Sequence, residues 1–109
     1  MKLKLNIPER FALLSILPEK ENYLTFRLLM DLKKELGFTE QEIKKSGMET
    51  KGNQVVWTNG NIIKTVEIPD TIEAILVEKL KEIEKNKEIN ENNVTLYEKI
   101  ILNKDGRNQ

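Results

Sequence analysis

The chain has 109 residues, with 39% hydrophobic and 33% charged side chains, 18 Lys+Arg balancing 18 Asp+Glu, and neither cysteine nor histidine. That length suits one domain with one core. The absence of Cys and His excludes disulfides, thiolate nucleophiles, histidine acid–base chemistry and nearly every zinc or copper site, and the zero net charge argues against a nonspecific nucleic-acid binder and against a nucleic-acid mimic.

The predicted elements run as follows. "MKLKL" reads as a short strand or a frayed start. Asn6, Pro8 and Glu9 form a helix start, an N-cap followed by proline in the first turn and a glutamate three residues on. The apolar spacing then predicts a helix over 7–17, ended by Pro18, which lacks an N–H and clashes with the preceding turn. "PEKEN" is a polar link. A second helix is expected over 23–36, with more apolar residues (Tyr23, Leu24, Phe26, Leu28, Leu29, Met30, Leu32, Leu36) than one face can hold. Gly37 is expected to close it in the left-handed conformation. Thr39 with Glu42 is a capping box, and Gly47 stops the short helix that it opens.

The pattern then changes period. In "QVVWTNGNIIKTVEI" two β-branched runs flank Asn59 and Gly60, which predicts a hairpin with a type I′ turn. Val55 and Trp57 would share one face, and Val66 and Ile68 one face of the partner strand. A third strand could come from "MKLKL" or from Met48 and Glu49. Pro69 ends the hairpin, and Asp70 with Glu73 is expected to cap a helix carrying Ile72, Ile75, Leu76, Leu80 and Ile83. A last helix is expected over 91–102. The reading is an α+β, mostly helical single domain over 1–102, with about five helices and a central β-hairpin, followed by a disordered tail over 103–109.

No segment is apolar for the roughly 18 residues that a bilayer span needs, and the start lacks a signal-peptide core. A cytoplasmic protein is therefore expected. The Lys, Asn, Ile and Glu bias suits an AT-rich genome, that of a low-GC bacterium or of something that infects one. There is no phosphate-binding glycine loop and no EF-hand-like acidic loop. The carboxylate pairs Glu19/Glu21 and Glu40/Glu42 read most simply as a solvated link and a helix start. Neither a cofactor nor catalysis is expected.

Four residues stand out as ligand-binding candidates. Arg10 and Arg27 could grip an anion bidentately; the plainer reading of Arg27 is an i,i+4 ion pair with Asp31. Trp57 and Tyr97 could stack on a base or fill a partner's pocket, or simply be core. The overfull second helix points to a homo-oligomer.

The opening E-R-x-x-L-L-x-x-L-P, the F-[ST]-E-x-E segment at 38–42 and the closing L-Y-E-K at 96–99 together resemble a set of small phage-encoded proteins of unassigned function. The resemblance spans about 7–101. It implies kinship without implying any catalytic residue. It suggests a non-enzymatic accessory protein that counters host antiviral defence, either by sequestering a nucleotide-like signal or by masking an effector protein. The alternatives are a small virion or assembly factor, and a DNA-binding regulator whose helix-turn-helix lies around Gly37, with Lys33, Lys34, Lys44 and Lys45 on phosphates.

Overall fold

The computed structural model describes residues 1–102, so the expected disordered tail lies outside the described residues. In chain order the elements are β1 (Lys2–Leu5), α1 (Ile7–Ile16), α2 (Tyr23–Leu36), α3 (Glu40–Ser46), β2 (Glu49–Lys51), β3 (Gln54–Val56), β4 (Lys64–Glu67), α4 (Asp70–Lys85) and α5 (Val94–Ile100). The α+β class, the five helices and a short central hairpin agree with the sequence reading.

The helices form where capping and periodicity predict them. Asn6 Oδ1 accepts from the Glu9 N–H and Glu9 Oε1 from the Asn6 N–H, both at 2.9 Å. Thr39 and Glu42 make the same reciprocal box for α3. Gly47 closes α3 at φ +70°, and a Cβ there would also collide with the Thr58 hydroxyl, so both backbone and space require glycine. Two caps differ from expectation. Gly37 is at φ −66°, not left-handed, because the carbonyls at the end of α2 find side-chain donors elsewhere, as described below. Asp70 is the first residue of α4, and Pro69 precedes it without a side-chain cap. The last helix is shorter than expected, because the turn over 90–93 closes through Asn90 and Asn93 side-chain bonds before it starts.

The strand pairing is the main correction. Asn59 and Gly60 do not turn a hairpin. Instead β4 pairs antiparallel with β1 (Leu3 opposite Val66, Leu5 opposite Lys64), and β3 pairs with β2 across a turn at Gly52, φ +62°. The reason is burial. Leu3, Leu5, Val66 and Ile68 are all fully buried under the helices, whereas β2 and β3 lie on the periphery with Val55 exposed. Pairing β4 with β3 would have left β1 without a partner and its leucines without cover. The loop 57–63 is held instead by other backbone. The Thr58 and Asn59 N–H groups both donate to Ser46 O (2.8 and 2.9 Å), and the Ile7 N–H donates to Gly60 O (3.2 Å).

The core lies between the β1–β4 pair and the helices. It gathers Leu13 of α1, Leu29, Leu32 and Leu36 of α2, Ile72, Leu76 and Leu80 of α4, and Leu96 and Ile100 of α5. This tells what the short α1 touches: its apolar side chains pack into the same core as the other helices. No helix among the described residues is long and apolar enough to cross a membrane.

Candidate functional site

The side chains with the most unusual surroundings sit around the first half of α1. Arg10 is fully buried. Its Nε donates to Leu36 O (3.2 Å), Nη2 donates to Gly37 O, and Nη1 and Nη2 reach Glu42 Oε2 and Oε1 (2.7 and 3.3 Å). The guanidinium also stands 4.0 Å above the Phe38 ring. One cation therefore caps the last carbonyls of α2, where the helix dipole is negative, and joins them to the first turn of α3.

Next to this clamp the aromatics continue in a row. Phe38 lies 5.1 Å from Phe11, tilted by 33°, and Phe11 stacks on Trp57 at 5.4 Å and 11°. Trp57 is half-buried. Gly60 packs closely beside it: a Cβ there would stand 3.0 Å from Trp57 Nε1 and 3.4 Å from Pro8 Cδ, so a larger residue would push on the indole. Against this stack opens a cleft of about 270 Å³, lined by Pro8, Phe11, Ala12, Ser15, Trp57 and Asn92. Its lining is apolar apart from Ser15 and Asn92, and none of it is charged. The Ser15 hydroxyl donates back to Ala12 O at 2.7 Å, so towards a ligand it offers lone pairs.

The four candidates from the sequence fall in different places. Arg10 and Trp57 belong to one connected stack, but Arg10 faces inward with its donors engaged. Arg27 is exposed on α2, roughly 13 Å of helix rise from Leu36. No ion pair joins it to Asp31 among the described residues, where the pairs are Met1 with Glu67 and Glu73, Arg10 with Glu42, Lys64 with Glu35, and Lys99 with Glu9. Tyr97 packs half-buried against the core on α5. Sequence reasoning missed Phe11 and Phe38 as partners of Trp57. Their only signal was aromatic character, which periodicity assigns to core.

Glu42 has a lowered pKa, chiefly because Arg10 donates hydrogen bonds to its carboxylate, with further help from the Thr39 N–H and against the effect of burial. A carboxylate with a depressed folded-state pKa stabilises the fold above its unfolded value, and that stabilisation is lost as pH falls through the folded value. Stability is therefore expected to drop on acidification below about pH 4.5, the ordinary carboxylate value. Glu42→Gln should flatten this part of the curve. Urea midpoints measured from pH 7 to pH 3 for both proteins check it, and parallel curves would contradict it.

A second buried pair lies on the other side of α1. Lys99 of α5 donates to Glu9 Oε1 at 2.6 Å and to Lys4 O at 2.8 Å. Glu9 Oε2 is buried without a hydrogen-bond partner among the described residues.

A wider cleft of about 610 Å³ lies between the link after α1 and the outer face of α4. Its rim mixes Glu19, Glu21, Glu78 and Glu82 with Lys20 and Lys79, all exposed. Nothing converges there as it does on Trp57. Around Gly37, α3 is seven residues long, opens with Glu40 and Glu42, and is clamped to Arg10. This geometry suits poorly a recognition helix, whose first turn must approach phosphates and base edges.

Comparison with protein-family models, curated proteins and solved structures finds no match.

Proposed function

We propose that this chain is a non-enzymatic, self-associating accessory protein of phage type, which acts in the bacterial cytoplasm and masks an effector protein of host defence. The phage setting rests on the resemblance of the sequence motifs over 7–101. The binding mode rests on one observation, the uncharged aromatic cleft at Trp57. At about 270 Å³ it lies below the roughly 300–1,000 Å³ of sites that enclose drug-sized ligands. It has the size for one inserted side chain. Trp and Phe walls in a confined apolar cleft are the surroundings in which a single anchor residue contributes most of an interface's affinity. The cleft lining lacks a cation, and this favours a protein partner over a sequestered nucleotide, whose phosphates need Arg, Lys or a helix N-terminus.

Trp57 is the sole tryptophan, so its fluorescence reports directly on the cleft. The test is affinity purification from host cells with wild type and Trp57→Ala, followed by titration of the recovered partner against Trp57 fluorescence. Retention of a stoichiometric partner by wild type, with affinity at least about tenfold weaker for Trp57→Ala, is the expected result. Equal affinity for both would remove the cleft from the binding mode. A fluorescence change with a panel of cyclic and linear nucleotides, and no protein partner, would replace masking with sequestration.

A further inference from the structure

We propose that the solvent-facing stripe of α2 is a homodimer surface, on which two copies pair antiparallel about a twofold axis level with residue 29. The inference rests on the self-association in the reading above and assigns it a face and a register.

At 100° per residue, Thr25, Leu29, Leu32 and Leu36 point into the core. Tyr23, Leu24, Arg27, Met30, Asp31 and Lys34 occupy the opposite side and are exposed. Tyr23 and Leu24 are 78% and 75% exposed and Met30 41%, so the apolar excess of this helix is left in solvent. Arg27 and Asp31 are one turn apart in the arrangement that normally closes an ion pair along a helix. Among the described residues they do not close one, and neither has another ion-pair partner.

The stripe is self-complementary in one register. With two copies antiparallel and the axis level with residue 29, Arg27 lies level with the partner's Asp31, and symmetry repeats the pair on the other side. Leu24 lies level with the partner's Lys34, whose aliphatic stem it can cover, and Met30 stays near the axis. A parallel pairing would instead set Arg27 against Arg27 and Asp31 against Asp31. The helix is about 21 Å long, so the contact sits at the small end of specific interfaces, and a reversible dimer is expected.

Charge reversal tests both face and register. Arg27→Asp and Asp31→Arg each place like charges level across the axis, and each is expected to weaken dimerisation at least about tenfold in sedimentation equilibrium. Mixing the two variants should restore a dimer of wild-type strength, because the two substituted residues then face each other with opposite charges on one side of the axis, and the unchanged Asp31 of one copy faces the unchanged Arg27 of the other on the opposite side. Circular dichroism of each variant confirms that the exposed positions leave the fold intact. A mixture that stays as weak as its components overturns the register. A wild-type dimer that neither reversal weakens overturns the face while leaving self-association standing. A wild-type protein that remains monomeric at millimolar concentration overturns both. Partner affinity at Trp57 is read separately and is unaffected by these outcomes.

Discussion

Arg10→Ala is expected to destabilise the protein by about 3–5 kcal/mol, the range for breaking a buried ion pair by removing one partner. Several losses coincide. Glu42 keeps its charge without the guanidinium that faces it, at a side chain only 17% exposed. The Leu36 and Gly37 carbonyls lose their donors at the end of α2, each costing about 1–3 kcal/mol if it stays buried and unpaired. The Phe38 ring loses the cation above it. Arg10→Lys should recover only part of this, since one ammonium cannot serve a carboxylate and two carbonyls from a planar fork. Urea unfolding followed by circular dichroism measures both variants, and a loss below about 1 kcal/mol for Arg10→Ala would show that the clamp is dispensable. A double-mutant cycle with Glu42→Gln separates the carboxylate from the carbonyls.

Lys99→Met carries the second large effect, a loss of about 3 kcal/mol. The substitution keeps the unbranched stem in place and removes the charge. Glu9, 1% exposed, is left with only the Asn6 N–H on Oε1, and its Oε2 is unpaired already. The informative comparison is the double variant Glu9→Gln with Lys99→Met. The neutral amide still accepts from the Asn6 N–H, so the helix cap persists while the unpaired charge disappears. Most of the lost stability should therefore return, as when buried ion pairs are replaced together. If the double variant is no more stable than Lys99→Met alone, the loss comes from packing or from the Lys4 carbonyl and not from the isolated carboxylate.

These two clamps explain why α1 carries a charged pair at Glu9 and Arg10 inside an apolar run. The neighbours point to different sides. Glu9 is tied to α5 and β1 through Lys99, and Arg10 to the α2–α3 junction. A helix too short to be stable in isolation thereby becomes the element to which distant parts of the chain are fastened.

Local chemistry was legible in the amino-acid sequence by itself. Asn6 with Glu9 and Thr39 with Glu42 mark helix starts because the bonds they make reach only three residues. Gly47 marks a stop because its backbone adopts a conformation that other residues resist. The apolar spacing of α4 identifies its buried face, since helical period is an intrinsic property of the segment, whereas the apolar excess of α2 left open which of its residues would be covered. The absence of His and Cys narrows the chemistry for a similar reason, being a matter of composition alone. Tertiary structure decided what lies far apart in the chain. Asn59 and Gly60 have the composition of a hairpin turn, yet β4 pairs with β1, because burying Leu3 and Leu5 against Val66 and Ile68 outweighs a local turn preference. Arg10 looked available for a ligand until its acceptors on Leu36, Gly37 and Glu42 came into view. Trp57 joins Phe11 and Phe38 because three separate segments converge on one side of α1. Such convergence is set by the packing of the whole core, and no window of sequence contains it.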